Sequence, residues 1–258
     1  MIHLTTTPAK NCQQGSVALC QVAPSEKRML TLVAYPPAFD QPSASPFCVK
    51  ALYLLNMSGL PWQRNDTNDP RNWPNAKLPA LWIEDQIIGD SDGIRAFLEG
   101  KGAQFDKGLS DLDRATSRAF IRMAEEHMYF HLFLDRWADD AVWPRIRDTY
   151  FSELPGLLRN FIAGGMRRTV LKGMQTQGLG RLTPEERMAR IEPDLQAIAH
   201  RLWQGPFLFG ATPSAADASV APMLAAMIGT PGDTALSRRV SEDQILTDYT
   251  TRVATALG

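Results

Sequence analysis

Two kinds of hydrophobic spacing divide the chain. The apolar, β-branched run 29–35 predicts a buried strand. Segment 46–59 has the period of a helix, with Pro46 suited to its first turn and Gly59 to its end. Beyond it we predict a strand at 62–67, a loop at 69–75, two strands at 78–84 and 86–90 joined by a tight turn, and a helix capped by Ser91 that ends at Gly100.

After Gly102 only helical spacing remains. The longest stretch, 110–140, carries one apolar stripe, and Ser110 with Asp113 resembles a capping box at its start. We predict further helices at 144–162 and 183–203, and two more that begin at Ser214 and at Ser241. Nothing in this half has the pattern of a strand.

These patterns predict two domains. Residues 29–101 form an α+β domain of βαβ-ββα order with a mixed sheet, and residues 109–258 form an all-α helical bundle. Residues 1–28 fit neither pattern, and we expect a flexible N-terminal extension. The apolar stretch 15–23 faintly resembles the core of a signal peptide, but it is short and no clear cleavage site follows.

Composition narrows the function. The 258 residues carry a formal net charge of -1, which argues against a broad nucleic-acid surface. No apolar run is long enough to cross a bilayer, so we expect no membrane association. Three cysteines, without zinc-ligand spacing, indicate a reducing compartment, and we expect a cytoplasmic protein.

The sequence SPFCVK (Ser45–Lys50) holds the most distinctive chemistry. It lies between the first strand and the first helix, where unsatisfied N–H groups and a partial positive charge stabilise a thiolate. Cys48 lies just inside that helix. Three other motifs follow in order: KLP at 77–79, DS at 90–91 and GATPSAAD at 210–217.

These four motifs resemble the glutathione S-transferase superfamily. Within it, the runs SPFCVKALYLLNMSGLPW, MAEEHMYF and MQTQGLGRLTPEE resemble the failed-axon-connections and metaxin-like branch, over most of the chain from Met29 onward. The resemblance implies a thioredoxin-like first domain, a helical second domain, glutathione as co-substrate without a metal, and a homodimer.

The resemblance also implies roles for single residues. Ser45 would stabilise the glutathione thiolate, and a cis Pro79 with Lys77 and Leu78 would present backbone groups to the cysteinyl part. Asp90 and Ser91 would bind the γ-glutamyl carboxylate, and Arg71 the glycyl carboxylate. Ser214 and Asp217 would cap a core helix. The electrophile would meet an apolar pocket lined by Tyr129, Phe130 and Phe133.

Alternatives remain open on the residues alone. Ser45 could serve only as a helix N-cap, and Cys48 could be a buried, inert thiol. His127 and His131 stand four residues apart, but without a third ligand we expect no metal site. For function, we predict conjugation of glutathione to a hydrophobic electrophile. The alternatives are a non-catalytic binding or scaffold protein of the same fold and a thiol reductase that depends on Cys48.

Overall fold

The computed structural model describes residues 29–258, so the predicted extension at 1–28, with Cys12 and Cys20, lies outside the described residues. The first domain contains β1 (Leu30–Ala34), α1 (Pro46–Ser58), β2 (Trp62–Asp66), a 3-10 turn (Pro74–Ala76), β3 (Ala80–Ile83), β4 (Gln86–Gly89) and α2 (Ser91–Gly100). This order confirms the predicted strand, helix, strand, hairpin and helix.

The four strands form one mixed sheet in the order β2-β1-β3-β4. β1 runs parallel to β2 and antiparallel to β3, and Leu32 at its centre pairs with both Arg64 and Leu81. All five residues of β1 are buried, as expected for a strand covered on both faces. The parallel pair places the end of β1, and therefore the loop that leads to α1, beside the end of β2.

The second domain contains only helices and turns. It consists of α3 (Asp111–Met123), a π-helical turn (Ala124–Met128), α4 (Tyr129–Ala138), α5 (Trp143–Tyr150), α6 (Gly156–Gln177), a 3-10 turn (Leu179–Arg181), α7 (Pro184–Leu202), α8 (Ala215–Ile228), α9 (Ala235–Ser241) and α10 (Gln244–Leu257). Residues 101–258 form no strand, which confirms the predicted all-helical domain. Thr183 and Glu186 form the capping box at the start of α7.

The helix predicted at 144–162 is wrong as a single element. α5 ends at Tyr150, and α6 begins only at Gly156 and continues for 22 residues through Gly164 and Gly165. Glycines lower helix propensity by about 1 kcal/mol each, which packing of one helix face can outweigh. Ala163 and Met174 provide that buried face of α6.

Two helix starts also differ from the prediction. Asp90, rather than Ser91, is the N-cap of α2, because its carboxylate accepts a hydrogen bond from the Asp92 N–H at 2.8 Å. The last helix begins at Gln244 instead of Ser241, since Asp243 caps it. Carboxylates at these positions offer the same acceptor as a serine hydroxyl and also favour the positive end of the helix dipole.

α8 joins the two domains into one core. Twelve of its 14 residues are buried, the pattern of a helix surrounded by protein on all sides. α1 packs against it, so Leu54 and Leu55 of the first domain share a hydrophobic cluster with Leu224 of the second. Directly after α8, a Cβ at Gly229 would lie 2.6 Å from the carbonyl oxygen of Phe39, so only glycine lets the β1–α1 loop approach this closely.

A buried ion pair also links the domains. The Lys50 ammonium of α1 donates to Glu125 at 2.5 Å and to Asp92 at 2.8 Å, and the side chains of Lys50 and Glu125 are 2% and 6% exposed. The Ser219 hydroxyl of α8 donates to the same Glu125 oxygen. Glu125 lies in the π-helical turn, where an extra residue per turn shifts the side chains relative to α3.

We predict that Lys50→Met lowers the free energy of unfolding by about 3–5 kcal/mol, because the only cation that the buried Glu125 carboxylate then keeps is the partly exposed Arg122 guanidinium at 3.7 Å. The double variant Lys50→Met/Glu125→Leu should recover most of the loss, since no uncompensated charge remains. Denaturant unfolding of both variants measures the difference. Arg147→Met, which breaks an exposed pair with Asp148, is the control and should leave the midpoint in place. Equal losses in the single and double variants would contradict a stabilising role for charge pairing.

Candidate functional site

Ser45 occupies the N-cap position of α1. Its backbone is extended (φ -112°, ψ 125°), and its carbonyl accepts from the N–H groups of Cys48 and Val49. The Ser45 hydroxyl makes no capping hydrogen bond, which distinguishes it from a serine that serves only as a helix N-cap. This half-buried hydroxyl therefore lies at the positive end of a 13-residue helix without capping it.

Hydrogen bonds from both domains hold the loop that carries Ser45. Arg64 of β2 donates to the carbonyls of Tyr35 and Pro42 at 3.0 and 2.7 Å. Arg136 of α4 donates to the carbonyl of Ala44 at 3.2 Å. Within the loop, the buried Ser43 hydroxyl donates to Tyr35 and accepts from the Ser45 N–H. The position of Ser45 is thus set by side chains from both domains.

Cys48 lies fully buried in the first turn of α1. Burial raises the pKa of its thiol to about 11, although the Tyr35 backbone, the Ser43 and Ser45 hydroxyls and the Arg64 guanidinium act in the opposite direction. A reactive cysteine needs an accessible thiolate at neutral pH. The environment of Cys48 is that of an inert core thiol and weighs against the reductase hypothesis.

We predict that native protein carrying Cys12→Ser and Cys20→Ser resists iodoacetamide at pH 7.5. The Cys48 thiol is protonated and inaccessible there, and only unfolding in guanidinium should permit labelling. Mass spectrometry before and after denaturation measures the modification. Rapid labelling of the native form would mean that the thiol is open to solvent, and the reductase hypothesis would regain its basis.

The second and third motifs meet at one edge of the first domain. The Leu78–Pro79 peptide bond is cis, as the resemblance implied, and the Pro79 carbonyl accepts from the Asp90 N–H at 3.2 Å. Ser91, 3% exposed, is the first residue of α2. The helix N-terminus at Ser91 therefore lies beside Pro79, where backbone N–H groups can bind a carboxylate.

Arg71 and Lys77 lie in the segment before this edge. Both are exposed, and the Arg71 guanidinium makes a two-point ion pair with Asp69 at 2.8 and 2.6 Å. Hydrogen bonding to Arg71 lowers the pKa of Asp69 to about 2, so this pair stays ionised at neutral pH. The Arg71 guanidinium is thus already partnered, and a ligand carboxylate would compete with Asp69 for it.

Aromatic side chains of α4 cover the first turn of α1. The Tyr129 ring lies edge-on against Phe47, with centroids 4.8 Å apart, and stacks on Phe133 at 5.4 Å. Phe130 contacts Tyr129 from the other side at 5.6 Å. Burial raises the pKa of Tyr129, with Tyr150 adding to the shift. The three residues predicted to line an apolar pocket therefore form one aromatic group, and Tyr129 brings it against the SPFCVK motif.

Sequence analysis missed Arg136 and Tyr150. Arg136 is 3% exposed and lies eight residues after the buried Met128 and four after the buried Leu132. A charged residue on an apolar helical stripe is the signal that could have identified it. Tyr150, at the end of α5, had no such signal. Its hydroxyl accepts from Arg136 Nη1 at 2.9 Å, a contact that depends on the break between α5 and α6.

Comparison with known proteins identifies the family. Residues 46–142 match the Glutathione S-transferase N-terminal domain, and residues 185–249 match the Glutathione S-transferase, C-terminal domain. The isoprene-epoxide–glutathione S-transferase of Rhodococcus sp. (strain AD45) is 30% identical over 87% of this chain and 98% of its own length. The chain belongs to the glutathione S-transferase family.

Other members of the family have less in common with this one. Human metaxin-2 is 24% identical over 57% of this chain and 56% of its own length. Failed axon connections of Drosophila melanogaster is 27% identical over 68% of this chain and 44% of its own length. The chain therefore spans about half of each of these two proteins, and the resemblance to this branch is confirmed.

Solved structures share the fold. A glutathione transferase from Phanerochaete chrysosporium superimposes with a TM-score of 0.61 at 17% identity, over 88% of this chain and 96% of its own. A glutathione S-transferase of Ceriporiopsis subvermispora, solved in complex with glutathione, gives a TM-score of 0.54 at 15% identity, over 88% and 97% of the two chains. In this family member, no helix among residues 29–258 has the length and apolarity to span a membrane.

The fourth motif of this family member stabilises the core helix α8. The buried Asp217 carboxylate accepts from the Ser214 N–H at 2.8 Å and from the Ser214 hydroxyl at 2.7 Å. It also accepts from the Leu208 N–H and from the Tyr249 hydroxyl, both at 2.9 Å. Asp217 therefore connects the preceding loop and α10 to the start of α8, a structural function.

The histidine pair of this family member lies between α7 and the second domain's first helices. The Nδ1 atom of His127 is 2.5 Å from Asp194 Oδ2, and the Nε2 atoms of His127 and His131 are 3.3 Å apart. No group of three His, Cys, Asp or Glu side chains arranged to hold a metal occurs in the described part of the chain. Burial lowers the pKa of His131 to about 4, and His127 and two arginines of α7, Arg187 and Arg190, add to the shift.

We predict that His131 contributes a loss of stability as the pH drops from about 6.5 to about 4, while the buried Asp135 carboxyl, whose pKa is raised to about 6, acts in the opposite direction. Over this range the unfolded chain binds a proton at residue 131, where the usual histidine pKa is about 6.5, and the native state does not. His131→Gln should lose less stability across the window than the wild type, as measured by thermal unfolding against pH. His200→Gln, on the exposed part of α7, is the control and should retain the wild-type dependence. Parallel curves for wild type and His131→Gln would contradict the assignment.

Proposed function

We propose that this protein conjugates the thiol of glutathione to a small apolar electrophile, with Ser45 stabilising the thiolate. One observation carries the proposal: the Ser45 hydroxyl, at the N-terminus of α1, makes no capping hydrogen bond. It can therefore donate to a sulfur, and the partial positive charge of the helix end favours the ionised form of that sulfur.

Two further features support glutathione as the thiol. The Pro79 carbonyl and the Asp90 N–H are joined at 3.2 Å, so the cis-proline edge and the start of α2 form one surface. Leu78 and Pro79 would bind the cysteinyl part there, and Ser91 the γ-glutamyl carboxylate. Arg71 and Lys77 are cations on the adjoining segment, suited to the remaining carboxylate.

The aromatic group formed by Tyr129, Phe130 and Phe133 indicates an apolar electrophile, because it covers the turn that carries Ser45. The Rhodococcus relative, which this chain matches over 98% of that protein's length, is named for an epoxide. We therefore propose a small epoxide as the electrophile. We also propose a homodimer in the cytoplasm, which membership of the family and the sparse cysteines support.

Calorimetric titration with glutathione across pH 6 to 9 tests the proposal. Wild type should release protons on binding, visible as a dependence of the heat on buffer ionisation enthalpy, because the bound thiol ionises. Ser45→Ala should release fewer, and each unit of thiol pKa shift corresponds to ~1.4 kcal/mol. Ser58→Ala, at the other end of α1, is the matched control and should behave like the wild type.

Two outcomes of this titration would count against the proposal in different ways. Equal proton release by wild type and Ser45→Ala would remove the role of Ser45 but keep glutathione as the ligand. The absence of binding heat at millimolar glutathione would contradict the transferase function itself.

The second candidate is a non-catalytic binding protein of the same fold. The observation that favours it is the dense cover over α1, where Phe47 and Tyr129 are in direct contact and leave little room for an electrophile in this conformation. Similarity to metaxin-2 over 57% of the chain is compatible with it. Retention on glutathione resin separates the two, since a protein that does not bind glutathione should wash through.

A further inference from the structure

We propose that Arg136 and Tyr150 form a proton-donating pair that activates the oxygen of the electrophile, which makes epoxides the preferred substrate class. The inference rests on the proposed function and adds a catalytic residue from the second domain. It starts from a buried cation that holds the Ser45 loop and also contacts the Tyr150 hydroxyl.

Arg136 is a buried cation that makes no ion pair with a carboxylate among residues 29–258. Among residues 29–258 its guanidinium donates only to neutral groups: the carbonyls of Ala44 and Ala226, the Thr230 hydroxyl and the Tyr150 hydroxyl. The neighbouring Asp135 carboxylate turns away to accept from Thr234. A buried cation without a direct ion pair is costly, and sites that stabilise a developing negative charge are where such a cost is retained.

Arg136 determines which way the Tyr150 proton points. The Tyr150 oxygen accepts from Arg136 Nη1 at 2.9 Å, so the Tyr150 O–H can donate only to a different acceptor. No group in the described part of the chain accepts that proton. The same Nη1 atom donates to the Ala44 carbonyl at 3.2 Å, so the Tyr150 hydroxyl lies within two hydrogen-bond lengths of the residue that precedes Ser45.

Trp137 adds a second unpaired donor beside Tyr150. Its indole Nε1 is buried without a hydrogen-bond partner in residues 29–258, and its ring centroid is 6.1 Å from that of Tyr150. A buried donor without an acceptor is unusual in a folded protein. An oxygen on the electrophile can accept from these donors and take the Tyr150 proton, whereas a halide leaving group departs as an anion and needs no proton.

The pair supplies what epoxide opening requires. As the thiolate at Ser45 forms the S–C bond, the ring C–O bond breaks and its electron pair moves to oxygen. That oxygen takes the Tyr150 proton, and the Arg136 charge stabilises the phenolate that remains. The proton that the glutathione thiol gave up on ionisation returns to the phenolate, so the cycle consumes only glutathione and epoxide.

The test compares two electrophiles in the same assay. With 1,2-epoxybutane the product oxygen must gain a proton, whereas 1-chloro-2,4-dinitrobenzene loses chloride, which needs none. We expect Tyr150→Phe to lower the ratio of epoxide to chloride-displacement kcat/KM by about 10²-fold, the lower range for a general acid. Tyr53→Phe removes a buried hydroxyl from α1 outside this cluster and should keep the wild-type ratio.

The outcomes separate this inference from the function on which it rests. An unchanged ratio in Tyr150→Phe overturns the proton-donating pair, as does a wild type that displaces chloride but leaves the epoxide untouched. In both cases the transferase function stands. A wild type that acts on neither electrophile and gives no heat with glutathione overturns both proposals.

Discussion

The contact between Lys50 and Glu125 fixes how the two domains meet. Both side chains are removed from water. A small displacement of one domain relative to the other would therefore separate the two charges and cost more free energy than other contacts could recover. Lys50 lies little more than one turn after Ser45 in α1, and Glu125 lies one turn before Tyr129. The pair therefore sets the distance at which the aromatic residues of α4 reach the first turn of α1.

The candidate site belongs to neither domain alone. Arg64 fixes the loop before Ser45 from the sheet, and Arg136 fixes it from α4, so each domain contributes one guanidinium to different carbonyls of the same loop. Arginine suits this task because its planar fork donates several hydrogen bonds in fixed directions. A hydroxyl held in this way needs little reorganisation when a thiolate forms beside it.

Most of the fold could be predicted from local signals in the sequence. The proline and glycine that bound α1, the turn between β3 and β4, and the capping box at Thr183 each act within a few residues and were predicted correctly. The order of the motifs along the chain then indicated that the candidate glutathione-binding residues belong to one edge of the first domain. The Pro155-Gly156 dipeptide marks the break before α6, and its turn signal was overlooked within the helical spacing of 144–162.

The rest depends on partners far apart in the chain. Lys50 and Arg136 both occupy positions of apolar helical stripes, so their spacing alone predicts core side chains, and only the folded chain supplies the acceptors that make their burial tolerable. The π-helical turn has the same origin. It changes the helical phase at Glu125, and no single residue in 124–128 predicts a π-helical turn.

The close approach of Phe39 to Gly229 has a consequence for domain exchange. The loop before Ser45 is fitted against the end of α8, so its length and backbone path are matched to a helix nearly two hundred residues away. The two domains are therefore not interchangeable modules. Grafting the first domain of another family member onto this helical bundle would require that loop and Gly229 to be transferred together.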